Sequence, residues 1–257
     1  MNSVKMTRAV MGMPITIEVV HDDSAAALRA MGGAFDWFRS VDRTFSTYKD
    51  DSEISRMNRG ELPRAAASLT VREVLRACEQ MRERTNGFFD MRRPDGLLDP
   101  SGYVKGWSIE QAAVRLAGAG IRNYCVEAGG DLQTAGVNAD GGPWRVGVRN
   151  PLAPDEMVKV LYVSDAAVAT SGTYERGEHI YDPHTGRPAA HLASVTVVGP
   201  GIAWVDVAAT AAFAMGTGAA AWLAQQYGLE AYVIGHDGQA TFTDGLKRYL
   251  GPKPDSL

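Results

Sequence analysis

From Met13 to Val20 (MPITIEVV) apolar and polar residues alternate and β-branched side chains dominate, which predicts a half-buried strand. Asp22 to Ser24 mark a turn, with Ser24 placed to cap a helix through the Ala-rich stretch to about Val41. Leu28, Met31, Phe35 and Phe38 recur there at helical spacing and predict its core face. The polar stretch from Phe45 to Gly60 is expected to be a loop, with a short helix after Ser52. A second amphipathic helix is expected from Thr70 to about Thr85, with Val71, Val74, Leu75, Cys78 and Met81 on one side and Asn86-Gly87 as its stop. Next come an irregular segment from Phe88 to Gly106, a helix from Trp107 to about Ala117, and a strand from Tyr124 to Glu127 running into Gly129-Gly130-Asp131. Trp144 to Val148 and Val158 to Val163 read as an antiparallel pair. Further on, Ala167 to Gly172, His179 to Pro188 and Ser194 to Val198 alternate loops with strands. An Ala-rich helix is expected from Asp206 to about Met215, another from about Ala219 to Tyr227, and a closing hairpin turned at His236-Asp237-Gly238. With no repeat and no long linker, the pattern predicts one α+β domain over residues 1–257, an antiparallel sheet with packed helices.

The chain has 257 residues, 45% of them hydrophobic, enough for a substantial core and against disorder. A net charge of -4 gives no concentrated basic face for nucleic acid. Cys78 and Cys125 stand far apart, without the spacing of a disulfide framework or a zinc site. The N-terminal stretch has neither a long apolar core before a small-residue cleavage site nor an early cysteine for lipid attachment, so a cytoplasmic location is expected. No apolar run is expected to reach the roughly 20 residues of a membrane-spanning helix.

Four constellations bear on chemistry. Asp206 and Thr210 lie one helical turn apart, so their oxygens share a face. Such a hard-donor pair suits magnesium, but taken alone it reads more simply as Asp206 capping the helix while Thr210 back-bonds to a carbonyl. In DPSGYVKG, from Asp99 to Gly106, a carboxylate, a Gly-bearing turn and Lys105 precede the expected helix, a pattern that reads as an anion site or as a turn with a solvated lysine. Glu127 to Asp131 (EAGGD) would let backbone approach a ligand, or merely make a tight turn. The stretch from Ala169 to Pro188 (ATSGTYERGEHIYDPHTGRP) holds His179 and Asp182, which read as a base with its orienting partner or as parts of a surface hairpin. The Gly spacing of a Rossmann or Walker loop is absent, as is G-x-S-x-G.

Taken in order, these blocks resemble the ApbE-type FAD:protein FMN transferase family across nearly the whole chain. The matching blocks are MGMP near Met11, FSTYKDDSEISRMN from Phe45, GFFD from Gly87, DPSGYVKG from Asp99, EAGGD from Glu127, ATSGTYER from Ala169, HIYDPHTG from His179 and DVAATAAFAMG from Asp206. The resemblance implies a T-fold-related architecture, FAD as substrate, and Mg2+ bound by Asp206, Thr210 and the main-chain carbonyl of Gly102. It places Met11, Tyr48, Phe88, Phe89, Asp90, Asp99, Lys105, Ser171 and Ile180 against FAD, with Tyr48 stacking on a ring. Lys105, His179 and Asp182 become the catalytic candidates. The implied reaction moves FMN to a Thr or Ser hydroxyl of an acceptor flavoprotein and releases AMP. Hydrolysis of FAD to FMN and AMP, or FAD binding without chemistry, would use the same pocket. The chain departs from the family between GFFD and DPSG, where a longer insertion is usual, and at Pro100 and Tyr103. A pared rim bears first on recognition of the protein acceptor.

Overall fold

A computed structural model describes residues 2–172 and 180–251. Eight strands form one antiparallel sheet in the order β1 (Ser3–Val10), β2 (Met13–Val20), β3 (Tyr124–Ala128), β4 (Asp131–Ala135), β7 (Ala167–Gly172), β10 (Leu192–Gly199), β11 (Glu230–Gly235), β12 (Ala240–Phe242). Two separate hairpins, β5 (Trp144–Asn150) with β6 (Ala153–Val163) and β8 (Tyr181–Asp182) with β9 (Arg187–Pro188), complete the strands among the described residues. Among the described residues the α-helices are α1 (Ser24–Phe45), α2 (Glu53–Asn58), α3 (Leu69–Arg84), α4 (Ser101–Gly118), α5 (Ile202–Met215) and α6 (Ala219–Ala224). The expected α+β class with an antiparallel sheet and packed helices is what the chain adopts.

The alternation in β2 turns Ile15, Ile17 and Val19 inward, where they meet Met31, Phe35 and Phe38 of α1, Ile109 and Leu116 of α4, and Ala208, Ala209 and Ala212 of α5. A second apolar cluster lies on the far side of these helices. There Val41, Val71, Leu75, Cys78 and Val104 pack on Val207 and Ala211. Helix α5 is thus covered on two sides, which explains why it is small and apolar nearly all round. The opposite face of the sheet is closed by the β5–β6 hairpin through Trp144, Leu161 and Val163. With cover on both faces, every residue of β10 is buried.

Several boundaries differ from expectation. Asp23, not Ser24, caps α1 by accepting from the Ala26 amide, and Leu28 is 46% exposed because it falls outside the face of Met31, Phe35 and Phe38. Strand β1 is an additional edge strand paired along its length with β2. Helix α4 begins six residues before Trp107, and α5 begins four residues before Asp206. By length and composition Ile202–Ala224 does reach what a membrane-spanning helix needs, contrary to expectation, but 56% of its most apolar 18 residues are buried inside the fold. Burial pushes both thiols, Cys78 and Cys125, up to about 12, so both are poor nucleophiles.

Candidate active site

The candidate chemistry converges where α4, α5 and the start of β4 meet. Because α5 starts at Ile202, Asp206 sits in its second turn with 2% exposure, and the capping explanation fails. Asp206 Oδ2 accepts from the Gly106 amide at 3.0 Å. That contact requires glycine: a Cβ at Gly106 would lie 2.7 Å from the Ile202 carbonyl oxygen and 2.9 Å from Asp206 Cβ. Gly106→Ala is therefore expected to destabilise the protein by about 1–3 kcal/mol, visible as a lower Tm. An unchanged melting curve would rule out so tight a crossing of α4 and α5. Gly102 lies one turn before Gly106, and helix geometry aims its carbonyl along α4 toward that same amide.

Lys105 Nζ lies 2.5 Å from Asp131 Oδ2 and 3.4 Å from Asp206 Oδ1. Asp131 is fully buried at the first position of β4, and its Oδ1 accepts from the Thr170 amide of β7 at 3.1 Å. Its Oδ2 is ion-paired with the Lys105 ammonium. Burial pushes the Asp206 carboxyl up to about 8; Lys105 pulls it down, while the neighbouring Asp131 pushes it up again. Among the described residues, two buried acids thus face the Lys105 ammonium. A buried cluster of carboxylate oxygens fits a hard divalent cation. Among the described residues no three His, Cys, Asp or Glu side chains cluster as a metal site, so a cation here would draw on Thr210 and backbone oxygen as well.

Thr210 follows Asp206 by one turn, and its hydroxyl lies 3.4 Å from Ser171 Oγ on β7. Met11, in the β1–β2 turn, has its sulfur 3.9 Å from Ser108 Oγ, which donates to the Lys105 carbonyl. Phe89 is buried beneath Gly102, where an added Cβ would lie 3.2 Å from its ring. Asp99 accepts from the Ser101 amide at the start of α4. Met11, Phe89, Asp99, Gly102, Lys105, Ser171, Asp206 and Thr210 are thus carried by elements that adjoin one another.

The remaining candidates lie differently. Tyr48 is 96% exposed on the loop after α1. Asp90 pairs with Arg82 at 2.7 Å and accepts from the Arg92 amide. Asp182 uses both carboxylate oxygens within its own turn, accepting from the His184 amide and the Thr185 hydroxyl. Ile180 is buried with the core on the sheet's helical face. Phe88 meets the edge of the His184 ring, centroids 4.6 Å apart, and His184 Nε2 lies 3.0 Å from the Asn86 carbonyl. His184 thereby ties the β8–β9 hairpin to the loop after α3. His179 lies outside the described residues. Asp131 escaped the sequence reading as a site residue; the signal was its position directly after the paired glycines of EAGGD.

Known proteins share this arrangement of blocks and strands. A solved structure, the flavin transferase ApbE from Vibrio cholerae, superposes with a TM-score of 0.85 and 25% identity over 97% of this chain and 99% of that one. The FAD:protein FMN transferase of Salmonella typhimurium is 31% identical over 176 residues, covering 65% of this chain and 49% of the relative. The protein of that name from Vibrio cholerae is 38% identical over 133 residues, 48% of this chain and 40% of the relative. The chain spans about half the length of the curated relatives it matches, or less. A sequence model of the ApbE family matches residues 11–93 and 91–233. This chain belongs to the ApbE family.

Proposed function

We propose that this chain is a magnesium-dependent flavin transferase that splits FAD and attaches its FMN half to a Thr or Ser hydroxyl of an acceptor flavoprotein. The acceptor oxygen forms a new ester bond to the FMN phosphorus, the bond from that phosphorus to the bridging oxygen breaks, and AMP leaves with that oxygen. Supporting this reading is one observation above the others: Asp206, Lys105 and Asp131 meet in a buried, oxygen-rich pocket with Thr210 one turn away. Asp206, Thr210 and the Gly102 carbonyl would hold Mg2+, which when bound neutralises pyrophosphate charge. Lys105 adds its own positive charge for the transferring phosphoryl group. Met11, Phe88, Phe89 and Ile180 supply apolar contact, and the exposed ring of Tyr48 is open for stacking. His179 is assigned as acceptor of the hydroxyl proton, and Asp182 retains lone pairs with which to orient it.

The direct test incubates the protein with FAD, Mg2+ and a Thr- or Ser-bearing acceptor flavoprotein, followed by mass spectrometry of the acceptor. A covalent FMN adduct is expected, with one AMP released per adduct. Repeated turnover to free FMN and AMP with no adduct would replace transfer by hydrolysis, and FAD left intact would reduce the chain to a binding protein.

A further inference from the structure

The first turn of α5 has no cap of its own. Gly201 precedes it, and no local side chain accepts from its opening amides. The free N–H groups are met from elsewhere in the fold. Gln133 Oε1 accepts from the Ile202 amide at 3.0 Å, while Gln133 Nε2 reaches the Pro200 carbonyl at 3.4 Å. Glu110 Oε1 faces the Ala203 amide at 3.5 Å, and a Cβ on Gly201 would lie only 2.7 Å from that oxygen. A carboxylate beside a helix N-terminus is favourable, and here it comes from a different helix.

Where these two residues sit matters more than the bonds. Gln133 lies two positions after Asp131 on β4, so both side chains leave the same face of the sheet. Glu110 lies one helical turn after Gly106 on α4, so both face α5. Each element that supplies the pocket therefore also supplies a hold on the start of α5. Asp206 follows Ala203 by three residues, less than one turn. Any slide or rotation of α5 that would withdraw Asp206 and Thr210 from Lys105 must first break the contacts at Ile202 and Ala203.

We propose that Gln133 and Glu110 are positioning residues, a two-sided clamp on α5 that holds the Asp206 and Thr210 oxygens at the distance from α4 that a divalent cation on a dinucleotide's phosphates requires. This rests on the function proposed above for the pocket. Neither side chain touches the substrate; both act through the helix.

The test uses two readouts on the whole chain. Amide hydrogen exchange in the ligand-free protein reports the clamp itself. Titration of Mg2+ into FAD-saturated protein, well below the Tm, reports its consequence. Gln133→Leu, which keeps the volume and removes the acceptor, is expected to speed exchange at the first turn of α5 and to weaken Mg2+ affinity about tenfold. Glu110→Gln, which keeps an acceptor oxygen, is expected to stay within about twofold of the parent protein. If Gln133→Leu does not fold, Glu110→Leu takes its place, with the Gln133 contact left intact. A folded variant with faster exchange but unaltered Mg2+ affinity would reduce the pair to ordinary structural bonds and overturn the proposal. Unaltered exchange would overturn it at an earlier step. Failure of the parent protein itself to bind Mg2+ with FAD would instead refute the pocket's proposed function, and the exchange result would still decide whether the clamp exists.

Discussion

Asp206→Asn is expected to lower flavin transfer by about 10³-fold or more while the protein stays folded. The magnitude is that of losing a group that organises charge stabilisation of a transferring centre. Asparagine separates the two tasks of this side chain. Its amide oxygen can still accept from Gly106, as Asp206 Oδ2 does at 3.0 Å, but the negative charge is gone. The loss of charge should cost little stability, because Asp206 is buried beside a second buried acid, Asp131, with Lys105 between them. In the variant no charge has to be kept out of water at this buried position, so the Tm should hold or rise. Asp206→Ala differs in this respect: it removes the contact with the Gly106 amide across the helix crossing, at a cost of about 0.5–1.5 kcal/mol. Transfer is read from the acceptor adduct and stability from thermal melts of both variants. Parent-like transfer by Asp206→Asn would remove this residue from the chemistry whatever happens to its stability.

Most elements were legible because their signals are local. Strand β2 alternates strictly, α3 is capped by Ser68 and shows an apolar face, and the hairpin of β11 and β12 carries its own turn residues. The two helices that carry the candidate site start a turn or more before the positions expected from sequence, and for a common reason. Helix α5 is capped by Gln133 and Glu110, about 69 and 93 residues away in sequence, so no Ser, Thr or Asp announces its first turn. Helix α4 opens with Pro100 and carries Gly102 and Gly106, residues that lower helix propensity. Gly106 is there for the approach of Asp206, a long-range contact that local pattern cannot register. The same limit hid Asp131, which gains its meaning only when β4 lies under Lys105. Family resemblance named Asp206 and Thr210 but not the acid opposite them. Local rules failed where the fold departs from them to bring distant oxygens together.

Without magnesium, stability should fall as pH rises from about 5 to about 8. The sign follows from Asp206, whose carboxyl is raised from 3.8 to about 8, chiefly by burial. In that window the folded protein keeps a proton that the unfolded chain has released, so each rise in pH favours unfolding. The contribution is fully present below the unfolded value of 3.8 and is lost as pH climbs through about 8. Acids held low by arginines, Glu61 by Arg59 and Glu79 by Arg64, act in the opposite sense, but only at lower pH, as they become protonated. A cation on Asp206 displaces the proton, so its affinity should rise with pH and level off above about 8. The Tm increase produced by a fixed magnesium concentration should therefore be small near pH 5.5 and largest near about pH 8.5. Melts with and without Mg2+ across that range test this directly, with Asp206→Asn as the control that should flatten both trends. If the asparagine variant shows the same slope and the same magnesium response, the proton and the cation are bound elsewhere.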